Sequence, residues 1–165
     1  MKIMLLILVV VLFSVFGYGL SRWYSERKDF FFSLVELLKN LKSQIGFSHG
    51  RLFDLLENGR EVIGNKHVNV LIDNYTSAVL TNNVIDGQNL FLGINFLNEQ
   101  EKSAILNFFN CLGKSDVGTQ LEELNAITEL VNNYGSEAKN AHKKYGSLCV
   151  KLGIMAGLFV ALIFA

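Results

Sequence analysis

The residues that could do chemistry are few, and they do not converge. His49, His67 and His142 are isolated, with no His-x-x-x-His or His-Glu-x-x-His spacing that would hold a metal. Cys111 and Cys149 lie far apart, and neither belongs to a Cys-x-x-Cys pair. They read as two buried or membrane-facing thiols. Gly113-Lys114-Ser115 has the last letters of a phosphate-binding loop. That motif needs a glycine five residues before its Gly-Lys, where this chain has Phe108, and it should follow a strand rather than a helix. Glu122 and Glu123 are adjacent, so on a helix they point about 100° apart and cannot share a substrate. No nucleophile stands beside an evident base. The sequence therefore predicts no catalytic residue, no metal site, no cofactor and no small-molecule substrate: the chain is expected not to be an enzyme.

The same residues make sense as punctuation between helices. Gly113 suits the position just past a helix end, and Ser115-Asp116 can cap the next helix through side-chain oxygens and negative charge. The turn formed by Gly113, Lys114, Ser115 and Asp116 is the candidate partner-contact surface, with Arg51 and Asp54 as a second one.

The elements around these residues are helical throughout. Phe30, Leu34, Leu37, Leu41 and Ile45 recur every three or four residues, and nothing breaks the stretch back to Leu20. Gly46 and Gly50 mark its end. Residues 51 to 57 read as a short helix with Asn58-Gly59 as its stop, and Gly64-Asn65 as a further break. Val68, Leu71, Tyr75 and Ala78 form a third stripe, and the segment from Val84 to Leu92 is ambiguous between loop and short helix. Asn98 followed by Glu101 is a capping-box pattern opening a helix through Ile105, Phe108 and Leu112. The last stripe is the longest: Val117, Leu121, Leu124, Ile127, Val131, Tyr134, Ala138, Ala141, Tyr145 and Leu148, with no stop signal. The chain contains no proline, which favours long unbroken helices.

The two ends are the most apolar parts. The charge-free run from Ile3 to Leu20 would cover roughly 27 Å as a helix, close to the hydrocarbon thickness of a bilayer. It lacks an Ala-x-Ala-like cleavage site, and Tyr18, Trp23 and Tyr24 gather at its exit as in an interfacial belt. The run from Leu152 to Ala165 is too short alone but lengthens backwards past Lys151, whose ammonium can reach the headgroups. Gly153 and Gly157 have the Gly-x-x-x-Gly spacing of close helix packing. We therefore expect an all-α protein, a cytoplasmic helical bundle flanked by N- and C-terminal transmembrane helices that continue into its longest helices. Anchors are expected at 1–21 and 145–165, around a domain at 22–144. Fifteen Lys and Arg balance fifteen Asp and Glu, so no basic surface dominates and nucleic acid is not expected as a partner.

The chain resembles stage III sporulation protein AB of endospore-forming bacteria over nearly its whole length. The resemblance rests on Ser21-Arg22, the stretch from Leu37 to Ile45, the Leu-Gly-x-x-Asp-x-x-x-Gln pattern at Leu112, Gly113, Asp116 and Gln120, then Lys144-Tyr145, Leu152-Gly153 and Gly157-Leu158. It departs from the family at Gly50-Arg51, where Thr-Pro is usual, and at Gln44 and Phe109, where Glu and Gly are usual. The resemblance implies a fold similar to the cytoplasmic domain of type II secretion and type IV pilus platform proteins. It implies a role in a channel-like complex between mother cell and forespore. The implied partners are an ATPase like stage III sporulation protein AA, other stage III membrane subunits and the lipid bilayer, with self-association left open. Without the resemblance, the residues alone also fit a membrane-anchored helical regulatory adaptor unrelated to sporulation.

Basic residues set the expected orientation. Arg22, Arg27, Lys28, Lys39 and Lys42 follow the first anchor, Lys139, Lys143, Lys144 and Lys151 accompany the second, and Lys2 alone lies outside. The middle domain is thus expected in the cytoplasm, with both termini across the cell membrane; the resemblance implies that this is the mother-cell side. A reporter active only outside the cytoplasm, fused at position 90, should be silent; strong activity there would reverse the topology.

Overall fold

The computed structural model describes residues 2–47, 52–81, 84–114 and 116–164. Every regular element among them is helical. In order these are α1 (Lys2–Phe47), α2 (Leu52–Ile63), α3 (Lys66–Leu80), α4 (Gly87–Leu90), α5 (Glu99–Cys111) and α6 (Val117–Ala141). A single π turn (His142–Gly146) and α7 (Ser147–Phe164) complete the chain. The all-α expectation holds, and the apolar parts of α1 and of the last helical stretch are long enough to cross a membrane.

The chain divides into two compact units: residues 29–135, and residues 1–28 together with 136–165. Both boundaries fall inside helices, one in α1 and one in α6.

In the unit of residues 29–135, α1 supplies the centre of the core. Phe30, Phe31, Leu34, Leu37, Leu38 and Leu41 are all fully buried. The buried set is wider than a single stripe because α1 is covered on more than one side. Phe30 packs edge-on against Phe31 and Phe96, with ring centroids 5.5 and 5.4 Å away, a favoured aromatic arrangement. On α3 the buried residues are Val68, Leu71, Ile72, Tyr75 and Ala78, which contain the whole predicted stripe. Asn65 caps α3 by accepting from the His67 and Val68 amides, and Gly64, at φ 60°, makes the break before it.

Gly59 is not a stop. It lies inside α2, where a Cβ would come within 2.6 Å of a Leu37 methyl. Asn-Gly commonly makes a turn, but here the missing side chain lets α2 sit close on α1. The helix ends at Ile63, ahead of Gly64.

The ambiguous segment contains the four-residue α4, and the irregular stretch from Phe91 to Leu97 alternates exposed with buried residues. Phe91, Ile94, Phe96 and Leu97 all enter the core. Gly93 adopts φ 85° within it, and the Asn74 side-chain amide donates to the Leu90 and Leu92 carbonyls, at 3.1 Å each. A buried loop needs such partners for its backbone, so Asn74 ties it to α3.

In the second unit, the first part of α1 packs against α7 through glycines. A Cβ on Gly17 would lie 2.5 Å from the Cys149 carbonyl oxygen, and one on Gly153 2.7 Å from that of Phe13. Gly157 meets Val10 in the same way, with 3.0 Å to its Cα. The Gly-x-x-x-Gly spacing is therefore a real packing face, and its partner is α1 of the same chain. Away from this seam both helices expose large apolar side chains, among them Phe16 at 69 % and Met155 at 65 %.

The long last stripe is interrupted. Between α6 and α7 the backbone stays helical but widens into the π turn, which adds a residue and rotates the side-chain positions of the next turns. Tyr145 and Leu148, expected on the buried stripe, are exposed, while Gly146 is buried beneath the His142 ring. Strict three- and four-residue stepping cannot register this insertion, because both faces continue to obey it.

Gly19 offers a control for the glycine seam, since nothing lies within 4 Å of a Cβ there. Gly17→Val should destabilise the detergent-solubilised protein by about 1–3 kcal/mol in thermal unfolding, as overpacking against a fixed backbone does. Gly19→Val should leave it near wild type, and equal effects would contradict the packing.

Candidate functional site

The turn between α5 and α6 is built by two different devices. α5 closes with the Leu112 amide donating to the Phe108 carbonyl at 3.0 Å, and Gly113 comes next at φ 80°. That left-handed backbone is available to glycine at no steric cost, and it turns the chain so that the Lys114 amide reaches the Cys111 carbonyl at 3.1 Å. α5 opens with the capping box expected from the sequence. Asn98 accepts from the Glu101 amide at 2.8 Å, and the Glu101 carboxylate accepts from the Asn98 amide at 2.9 Å. Glu101 is fully buried, and this exchange gives its carboxylate a partner.

α6 opens on Asp116. One carboxylate oxygen accepts from the Thr119 amide at 3.2 Å and the other from the Thr119 hydroxyl at 2.7 Å. The Asp116 carbonyl takes the first intrahelical bond, from the Gln120 amide at 2.9 Å. Gly118 leaves space for this, since a Cβ there would stand 3.2 Å from the carboxylate. Both oxygens are thus engaged in starting the helix, and the charge sits where the helix dipole favours it. The two hydrogen bonds from Thr119, hydroxyl first, hold the carboxyl below its ordinary pKa. Thr119 was not among the predicted site residues. The Asp-x-x-Thr spacing was the available signal, because a cap partner stands three residues on.

Gly113, Lys114 and Asp116 are all exposed on this turn. Ser115 and Arg51 lie outside the described residues. Asp54 is exposed in the first turn of α2, where its charge also favours the helix start. Among the described residues no hydrogen bond or ion pair joins Asp54 to the turn.

The remaining reactive side chains are dispersed. The His67 ring meets Phe96 edge-on at 5.0 Å, and His142 covers Gly146 in the π turn. His49 lies outside the described residues. Among the described residues no group of three His, Cys, Asp or Glu could hold a metal ion. Cys149 is half-buried, but Cys111 is exposed at the end of α5, contrary to the expectation of two buried or membrane-facing thiols. Its position in the last turn of the helix leaves its outer side uncovered.

These features define a class: an all-α protein with two helices of membrane-spanning length and an exposed, tightly capped turn in its helical core. The chain belongs to the stage III sporulation protein AB family, whose model matches residues 2–165. No curated protein and no solved structure matches it.

The cap gives a pH dependence with a definite sign. The folded-state pKa of Asp116 is depressed. Its contribution is therefore complete above the unfolded carboxylate value of about 3.9 and is lost as pH falls through the folded value. Asp116→Asn keeps the acceptor but not the titration. The stability advantage of wild type over Asp116→Asn should shrink as pH falls from about 7 to about 3 in denaturant titrations. A constant difference would remove the charge from the cap.

Proposed function

We propose that this protein is a non-catalytic platform subunit of a secretion-like channel complex between mother cell and forespore, required for endospore formation. The single observation behind the proposal is the family match, which runs from the first apolar helix to the last. The family gives a stage III sporulation protein, and the apolar helices fit a membrane protein. In this reading both helices cross the cell membrane and the core between them lies in the cytoplasm of the mother cell.

The partners are a cytoplasmic ATPase like stage III sporulation protein AA and the other stage III membrane subunits. The contact surface is the turn of Gly113, Lys114, Ser115 and Asp116, of which Gly113, Lys114 and Asp116 are exposed, with Arg51 and Asp54 as a second candidate. Asp116 sets the geometry of that surface through Thr119, and Lys114 presents an exposed cation next to it.

The mechanism is organisational. One helix, α1, carries both the membrane-length apolar stretch and the core residues from Phe30 to Leu41. A partner bound to the core can therefore act on the membrane subunits through a continuous hydrogen-bonded backbone rather than a flexible linker. Several glycines inserted between Leu20 and Phe30 should abolish sporulation while membrane fractionation still finds the protein inserted. Wild-type sporulation from that variant would exclude this transmission.

A further inference from the structure

The zero net charge of the chain is the sum of two opposite parts. Residues 29–135 hold thirteen Asp and Glu against seven Lys and Arg. Residues 22–28 and 137–151, which belong to the other compact unit, hold seven Lys and Arg against two Asp and Glu. The basic excess therefore gathers beside the apolar stretches of α1 and α7.

Contacts within that unit bring the two segments to one level. The Tyr24 ring lies 5.9 Å from that of Tyr145, and Trp23 meets Tyr24 edge-on at 5.1 Å. The Lys144 ammonium stands 5.0 Å from the centre of the Tyr145 ring. Trp23, Tyr145, Lys143, Lys144 and Lys151 are all exposed. Tryptophan and tyrosine rings settle at the headgroup level of a bilayer. The π turn carries Lys143, Lys144 and Tyr145, and such turns are frequent at functional sites. Arg22 is neutralised by Glu26 at 2.8 Å, but among the described residues no carboxylate pairs with Lys143, Lys144 or Lys151. Leu148, Leu152 and Met155 recur at i, i+4 and i+7 on one face of α7, with Lys151 among them, and all three are exposed. The surface thus has a cationic end and an apolar end, the complement of an anionic phospholipid.

Orienting a membrane protein requires only that the cations be present. A headgroup site also requires them to be exposed, unneutralised and beside an aromatic belt, as they are here. A second copy spanning the same membrane in the same sense would bring its own basic belt to the same depth, so like charges would face each other. A zwitterionic lipid carries its own cation beside the phosphate. An anionic lipid does not, so it gains more from three lysines.

We infer that Lys143, Lys144 and Lys151 form a binding site for the headgroup phosphate of an anionic phospholipid, whose acyl chain follows Leu148, Leu152 and Met155. The inference rests on the reading that α1 and α7 cross a membrane.

Trp23 is the only tryptophan in the chain, and it reports from beside the site. The test reconstitutes the full chain into phosphatidylcholine vesicles in which a fixed fraction of the lipid is brominated, since bromine quenches tryptophan at close range. The brominated lipid is either phosphatidylglycerol or phosphatidylcholine. Brominated phosphatidylglycerol should quench Trp23 more strongly, with a relative affinity about fivefold higher. Replacing the three lysines together, by Lys143→Gln, Lys144→Gln and Lys151→Gln, should bring that ratio to about one. Brominated phosphatidylcholine should quench this variant as it quenches wild type, which checks folding and insertion. The matching triple arginine variant should keep the preference. Equal quenching by the two lipids in wild type, or a preference that the glutamine variant retains, would overturn the inference and leave the membrane crossing intact. Quenching by neither lipid would overturn the membrane reading and the inference with it. Self-association in phosphatidylcholine vesicles that the glutamine variant abolishes would also overturn it, assigning the surface to a second copy.

Discussion

Along α1 the burial pattern reverses. From Phe30 to Leu41 the side chains of Phe30, Phe31, Leu34, Leu37, Leu38 and Leu41 are sealed inside protein, while from Ile7 to Leu20 equally apolar side chains stand exposed except along one seam. No proline or stop residue separates the two stretches, so one helix carries both surfaces. Each compact unit is organised on its own part of that helix. In the core unit α1 is the surface on which α2 closes, with Gly59 against Leu37. In the other unit it is the surface on which α7 closes, with Gly17 against Cys149 and Gly153. Both approaches depend on absent side chains, because hydrophobic attraction alone does not bring backbones so near. In a bilayer, where lipid is as apolar as leucine, that close packing is the main force left to hold two helices together.

Among the described residues the reactive side chains stay as dispersed as they are along the chain. Acidic side chains that sequence places near possible sites turn out to serve helix ends: Asp116 starts α6 and Glu101 closes the α5 capping box. The candidate contact surface is the exposed turn after α5. The family assignment gives these surfaces a setting in sporulation.

Much of the fold could be read from the residues. The stripe from Val68 to Ala78, the Asn98–Glu101 box and the positive-φ role of Gly113 depend on local spacing and hydrogen bonding, which sequence records directly. What could not be read depended on contacts between distant segments. Asn58-Gly59 reads as a turn until Leu37 is known to lie against it. Phe91, Ile94, Phe96 and Leu97 have no helical period, and they are held in place by Asn74 from another helix. The π turn at His142 shifts the buried face by one residue, a displacement that periodicity absorbs without a sign. Of the candidate site, the turn around Asp116 was legible as a cap. Thr119, which holds both Asp116 carboxylate oxygens, was missed, because its role depends on the cap geometry that it completes.

The central claim is that this protein is a membrane platform of the stage III sporulation machinery. The most direct measurement is a crosslinking pull-down from sporulating cells with the full-length chain as bait. The account predicts recovery of the stage III AA-like ATPase together with the other stage III membrane subunits. Their absence, from cells in which the bait is abundant and correctly inserted, would contradict it.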